Sequence, residues 1–253
     1  MAIDAVFVRS AARASDLPHD GLGEIALVGR SNVGKSSLIN ALVRRRVART
    51  SAAPGKTRLA NIYRVIRGDG SPFYLVDLPG YGYARGGRDA AAEFATLTAA
   101  YFGRAGQVGQ VGRAGQAGRA GAAGADRESL PVAALLLVDA RHPGLDSDRA
   151  AWRWLRRSVD PCAVVATKID KLARGERIRA LRELESVCET SVLPVSAVTG
   201  EGLDELWKLI DRLQRSNRPP RPLSNSSLPP PPRGTDTPAR RPRRSWSSRR
   251  SRT

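Results

Sequence analysis

Cysteine is nearly absent: the 253 residues hold two, Cys162 and Cys188. Two cannot build a disulfide scaffold or a four-ligand metal site, and both are expected to be small core fillers. Histidine is as scarce, with His19 and His142 alone, which leaves little for a histidine-based metal site. Long apolar runs are missing too. The longest, Val132 to Val138, is too short to span a bilayer, and no basic-then-apolar leader opens the chain. Acidic residues are in deficit, 24 against 42 Lys plus Arg, for a formal charge of +18. A soluble cytoplasmic protein is expected, with no membrane association and a polyanionic partner, nucleic acid first among them.

The basic excess is uneven. Residues 217–253 hold ten Arg, one acid (Asp236) and nine of the 17 prolines. So little apolar surface cannot offset ordering entropy, and a disordered basic tail is expected. Arg-rich disordered segments bind RNA through counterion release. From Gly103 to Gly124 glycine recurs at every third position, eight times. Collagen would need proline there, so 103–126 reads as a low-complexity insertion in a loop. The remaining residues of 1–216 suit one α/β domain.

That domain alternates between two periods. Glu24–Gly29, Leu59–Val65, Phe73–Asp77, Val132–Asp139, Ala163–Thr167 and Val192–Ser196 read as six short strands. Most are continuous apolar runs, as strands buried on both faces require. The Arg67–Pro72 connection is of hairpin type, so one strand should be antiparallel in an otherwise parallel sheet. Leu203, Leu206, Trp207, Ile210 and Leu213 form a helical stripe, as do Ile178, Leu181 and Leu184. Asp146, Ser147 and Asp148 offer N-caps for a helix carrying Trp152 and Leu155. The architecture expected is a mostly parallel sheet with helices on both faces and its site at the carboxyl ends of the strands.

Gly29-Arg30-Ser31-Asn32-Val33-Gly34-Lys35-Ser36 matches the P-loop pattern, after one expected strand and before a helical stretch. The glycines let backbone N–H groups wrap a β-phosphate, and the following helix aims its positive end at the same point. Lys35 would bridge the β- and γ-phosphates, and the Ser36 hydroxyl would hold Mg2+. Asp77-Leu78-Pro79-Gly80 closes another strand. Asp77 can hold Mg2+ through water, and the Gly80 N–H can reach a γ-phosphate. In Thr167-Lys168-Ile169-Asp170 the carboxylate can accept the N1–H and exocyclic amine of guanine. Against adenine it would be left buried and unpaired, a strong rejection. The Lys168 stem can lie along the base, and Val195-Ser196-Ala197 can offer N–H groups to the base oxygen. The chain has 37 Arg and only five Lys, yet Lys35, Lys56 and Lys168 all fall in or beside these motifs. A compact ammonium, not a guanidinium fork, is required there.

These motifs, with Pro-Gly-Lys-Thr at 54–57, Asp-Leu-Pro-Gly-Tyr-Gly-Tyr-Ala at 77–84, Val-Asp-Ala-Arg-His at 138–142 and Val-Ser-Ala at 195–197, resemble the EngB/YsxC family of bacterial GTPases over roughly residues 3–215. The resemblance implies a Ras-like G domain of the P-loop GTPase fold that binds GTP or GDP. It makes Thr57 the switch I threonine that reaches Mg2+ beside the γ-phosphate. Gly55, Lys56, Thr57, Arg58 and Leu59 would line the nucleotide, and Tyr81 to about Arg88 would be switch II. Lys35, Thr57 and Gly80 would carry catalysis, and Ser36, Thr57 and Asp77 the metal. It further implies a role in assembling the large ribosomal subunit, through its precursor or rRNA. An effect on cell division and septation would follow indirectly, through ribosome supply. The glycine repeat and the Arg/Pro tail are not expected in the family.

Tyr81 follows Gly80, where Ras-like enzymes carry a water-orienting glutamine. A tyrosine cannot act as that amide, so intrinsic hydrolysis should be slow and a partner or ion should complete the site. Asn32, as in potassium-activated relatives of this GTPase class, could help hold K+ there. Arg44-Arg45-Arg46 either caps the P-loop helix dipole or contacts RNA. A monomer is expected. Two rival functions stay open: a basic RNA-binding module with a vestigial nucleotide pocket, and a GTPase acting directly at the division site. Multiple-turnover hydrolysis discriminates the first. Binding to lipid vesicles tests the second, which no lipidation motif supports.

Overall fold

A computed structural model describes residues 2–50, 59–68, 70–81, 96–103 and 132–216. All of them lie in one compact unit, Met1–Pro219. The expected basic tail, most of the glycine repeat and residues 55–58 fall outside the described residues.

The elements run β1 (Ile3–Ala11), β2 (Glu24–Gly29), α1 (Lys35–Val43), β3 (Ala60–Arg67), β4 (Phe73–Asp77), a helical segment α2 at 96–103, β5 (Val132–Asp139), α3 (Asp146–Ser158), β6 (Cys162–Thr167), α4 (Arg174–Cys188), β7 (Val192–Pro194) and α5 (Leu203–Ser216). They form one sheet in the order β1-β3-β4-β2-β5-β6-β7. β2 pairs parallel with β4 and β5, as do β5 with β6 and β6 with β7. β3 is antiparallel to both β4 and β1, so it alone runs against the rest.

Six strands were expected and seven are present. The addition is β1, which has no strand period to announce it. Only Ala5 and Ala11 are fully buried, and Val6, Phe7 and Val8 are exposed in a row. A bulge between Phe7 and Arg9 breaks the alternation further. What places β1 is its pairing with β3.

The strands bury both faces. Ala26 and Val28 of β2, with Leu136 and Val138 of β5, pack against Trp152 and Leu155 of α3, Leu184 of α4, and Tyr101 and Phe102 of α2. Ile25 and Leu27, with Leu135 and Leu137, pack against Leu38, Ile39 and Leu42 of α1 and Leu206, Trp207, Ile210 and Leu213 of α5. The α5 stripe is the one seen in the sequence. β7 ends at Pro194, so Val195 and Ser196 lie just beyond it. At α3 the cap differs from expectation. Leu145 is the N-cap and makes no side-chain cap bond, and Asp148 is buried inside the first turn. Its carboxylate is spent on a long-range contact described below.

Candidate functional site

The ends of β2, β4, β5, β6 and β7 converge at the carboxyl edge of the sheet. β2 runs into the loop 29–34, and α1 starts at Lys35. The loop needs unusual backbone angles. Asn32 has φ 61° and Gly34 φ 112°, and asparagine and glycine are the residues that tolerate the left-handed region. Gly29 is needed for space: a Cβ there would stand 2.8 Å from the Leu137 carbonyl oxygen of the neighbouring strand.

Lys35 and Asp77 are both buried here. Lys35 Nζ donates to the carbonyls of Gly29, at 3.2 Å, and Arg30, at 3.5 Å, so it arches back over the loop mouth. The Ser36 hydroxyl donates to Asp77 Oδ2 at 2.8 Å, while Asp77 Oδ1 is buried with no hydrogen-bond partner among the described residues. Burial pushes the Asp77 carboxyl up, against the pull of the Lys35 charge and the Ser36 hydroxyl. Burial pushes the Lys35 ammonium down, against the pull of Asp77. A hydroxyl and a carboxylate with an unused buried oxygen form a hard-oxygen donor pair. That chemistry fits a partly hydrated Mg2+.

Gly80 lies directly on the loop. A Cβ there would come within 2.5 Å of Ser31 N and 2.7 Å of Ser31 Cα and Oγ. Ser31 N–H donates to the Tyr81 carbonyl at 3.3 Å, and Arg30 and Tyr81 form an isolated parallel bridge. Leu78 is fully buried and Pro79 carries the chain from β4 to this contact.

The Thr167–Asp170 segment follows β6. Thr167 Oγ1 donates to the carbonyls of Val33 (2.7 Å) and Val138 (3.1 Å), tying the segment to the loop. Lys168, at φ 60°, donates from Nζ to Asn32 O at 2.5 Å and Asp139 Oδ2 at 2.9 Å. Its stem therefore crosses the loop at 32–34. Ile169 is buried. Asp170 Oδ1 accepts the Ser196 hydroxyl at 2.7 Å, and Ser196 Oγ in turn accepts the N–H groups of Val198 (3.2 Å) and Thr199 (3.1 Å). Lys171 Nζ lies 3.7 Å from Asp170 Oδ2. Val195 and Ser196 are fully buried, and Ala197 packs beside α5's core cluster.

Of the residues singled out in the sequence, the loop 29–36, Asp77–Gly80, Thr167–Asp170 and Val195–Ala197 are brought to one edge of the sheet. Leu59 stands exposed just before β3. Gly55, Lys56, Thr57 and Arg58, and switch II beyond Tyr81, lie outside the described residues.

Sequence reasoning missed two anchors. Asp139 ends β5 and accepts both Lys168 and a bidentate Arg141. Burial raises its carboxyl, but these donors outweigh it and hold it well below the usual carboxylate range. Asp148 accepts the Tyr81 hydroxyl at 2.9 Å, and Arg30 Nε lies 3.2 Å away. The Tyr81 phenol is thus turned onto α3, and burial beside that carboxylate pushes its pKa up. A carboxylate ending an apolar strand was the available signal for Asp139. No local pattern links Arg30 to Asp148, 118 positions on in the chain.

Comparison with known proteins places the chain among GTP-binding proteins. The family model described as MMR_HSR1, 50S ribosome-binding GTPase, matches residues 24–168. The chain is 39% identical over 218 residues to the probable GTP-binding protein EngB of Thermotoga maritima, covering 85% of this chain and 98% of that one. It is 36% identical to the probable GTP-binding protein EngB of Clostridioides difficile, over 79% of this chain and 88% of that one. Among solved structures, GDP·AlF4-bound Era of Aquifex aeolicus superposes with TM-score 0.58 at 22% identity, over 82% of this chain and 60% of Era.

Proposed function

The chain belongs to the EngB family of GTP-binding proteins, and from that premise we propose a GTP-hydrolysing switch that assists assembly of the large ribosomal subunit. The observation that carries the nucleotide half is the Ser36–Asp77 hydrogen bond beside buried Lys35 at the loop, with the Asp170–Ser196 pair at the same carboxyl edge of the sheet. The first group suits polyphosphate and Mg2+. The second suits guanine, because the Ser196 hydroxyl donates to Asp170 Oδ1 and orients a carboxylate whose remaining lone pairs can accept two base donors.

Mg2+ would be held by Ser36 and Asp77, with Thr57 joining when the γ-phosphate is present; it supplies charge neutralisation of the phosphate oxygens. Lys35 leaves the Gly29 and Arg30 carbonyls for the β- and γ-phosphates. The Gly80 N–H meets the γ-phosphate, and Thr57 and Gly80 are released when the γ-phosphate leaves. Gly55, Lys56, Arg58 and Leu59 line the nucleotide. Lys168 lies along the base while Asp139 holds its ammonium.

With its phenol engaged by Asp148, Tyr81 offers no amide to orient the attacking water. Intrinsic hydrolysis of GTP to GDP and phosphate is accordingly slow, and a partner or K+ completes the site. Asn32, exposed at the loop tip, is the residue proposed to hold K+. Hydrolysis that is equal in NaCl and KCl overturns that part.

The ribosomal half is supported by the matched family's description as 50S ribosome-binding and by the charge of +18. The protein acts in the cytoplasm as a monomer, and its loss impairs division and septation through ribosome supply. Among the described residues no helix is long and apolar enough to cross a membrane. The test is sedimentation with isolated ribosomal subunits, in GDP and in a non-hydrolysable GTP analogue, with and without residues 217–253. Binding to the large subunit that depends on the analogue and survives tail removal is expected. Binding that ignores the nucleotide and vanishes with the tail overturns the assembly switch.

A further inference from the structure

We propose that the solvent face of α3 is an RNA-docking surface, in which Arg149, Arg153 and Arg157 hold phosphates and Trp154 stacks on an unpaired base. The inference deepens the ribosomal reading above and rests on it, naming where the RNA sits.

The face stands out against the other helices of the same Arg-rich chain. α4 carries four arginines among three glutamates, and α5 three cations among three acids. From Arg149 to Ser158, α3 has four arginines and no acid. Its two acids lie in the first turn. Asp148 is buried against Tyr81 and Arg30, and Asp146 is a fully exposed partner 3.8 Å from Arg149, a contact that solvent screens. Arg149, Arg153 and Arg157 follow the i, i+4, i+8 ridge at steps of about 6 Å. Arg156 lies beside them, its guanidinium 5.9 Å from the Trp152 ring centroid. All four are exposed.

Charge alone would suit any polyanion. The second observation is Trp154, an indole 37% exposed between Arg153 and Arg157. Its ring meets Phe102 edge-on, with centroids 5.4 Å apart, so α2 fixes the indole while part of its surface stays open. An anchored aromatic among guanidinium groups is the arrangement that takes splayed bases of loops and single strands. An acidic peptide would have no use for the open ring. The face also has a path to the nucleotide, because Asp148 in its first turn grips Tyr81 at the start of switch II.

The test uses the full chain bound to a non-hydrolysable GTP analogue and two probes: a stem-loop RNA with an unpaired loop, and the same stem as a blunt duplex. Affinities are measured from 50 to 200 mM KCl. The triple variant Arg149→Gln, Arg153→Gln, Arg157→Gln should bind the stem-loop at least tenfold more weakly. Its slope of log affinity against log salt should be shallower by about 2–3, with GDP affinity unchanged. Trp154→Leu should remove the preference for the stem-loop over the duplex. A matched tail variant, Arg240→Gln, Arg241→Gln, Arg243→Gln, should flatten the slope but keep that preference.

Unchanged affinity and slope in the triple variant overturn the proposal. So does an equal loss by that variant on a poly-glutamate probe, which would make the face a protein dock. If the triple variant loses GDP binding, ultraviolet cross-linking of the stem-loop to the wild-type chain decides: adducts on 149–157 support the proposal, and adducts confined elsewhere overturn it. Subunit sedimentation separates the two readings. A triple variant that still pellets with the large subunit in the GTP-analogue state sinks this face alone. A wild-type chain that pellets in neither state sinks the assembly role.

Discussion

Replacing Tyr81 by Phe isolates one hydrogen bond whose cost can be worked out. The phenol donates to Asp148 Oδ1 at 2.9 Å, and Asp148 Oδ2 is buried with no hydrogen-bond partner among the described residues. A hydrogen bond to a charged group is worth about 1.5–3 kcal/mol, so a loss of about 2 kcal/mol is expected. In a domain of this size that lowers Tm by about 4–8 °C. Calorimetry at matched, saturating GDP measures it, since ligand linkage must be held constant.

The pH dependence adds a sign. Burial pushes the Asp148 carboxyl up, as does Asp139, against the Tyr81 and Ser147 hydrogen bonds and the Arg30 charge. Between the ordinary carboxylate pKa and the raised one, the folded state holds more protons than the unfolded. Stability from this group therefore falls as pH rises through that window. Tyr81→Phe removes a donor that favours the ionised form and raises the folded pKa further. The deficit is largest where Asp148 is ionised and narrows as pH falls through the window in which the variant's carboxyl protonates, so the comparison is made at pH 8 and pH 5. A Tm within 1 °C of wild type at pH 8 refutes the reasoning. A deficit equal at both pH values shows that lost packing, not the charge, is responsible.

Three further outcomes are expected. Gly80→Ala places a Cβ 2.5 Å from Ser31 N and costs the Ser31–Tyr81 backbone bond, so GTP-analogue affinity should fall roughly tenfold; equal loss for GDP and the analogue, read by fluorescent-nucleotide titration, would count against a γ-phosphate role. Lys35→Ala removes the charge that offsets buried Asp77 and should weaken GDP binding roughly a hundredfold or more, measured by stopped-flow dissociation. Asp170→Asn should cost about three orders of magnitude in GDP affinity while improving xanthosine diphosphate, whose C2 carbonyl accepts from the new amide; competition between the two nucleotides checks it.

The P-loop, the carboxylate ending β4 and the Thr167–Asp170 segment could be read from sequence because each is a local pattern. Backbone conformation and the residue that uses it lie within a few positions of each other. The sheet's parallel strands were equally visible, since burial on both faces writes a continuous apolar run. The α5 stripe and the β3–β4 hairpin were visible for the same local reason. Strand β1 was not, because an edge strand with Val6, Phe7 and Val8 all exposed carries no period.

Tertiary structure decided which side chains meet. Ser36 bonds Asp77 across 41 positions, Lys168 bonds Asp139 across 29, and Asp170 bonds Ser196 across 26. Arg30, Tyr81 and Asp148 join three separate segments. Gly80 is required by a backbone that approaches it from the loop, not by its own turn. Asp148 looked like a cap because aspartate near a helix start usually is one; burial opposite Tyr81 reassigned it. Local propensity depends on a residue and its chain neighbours, so the sequence alone determined the nucleotide motifs and the layered α/β fold. Long-range hydrogen bonds and buried charges depend on strand order and register, so only the folded sheet could choose their partners.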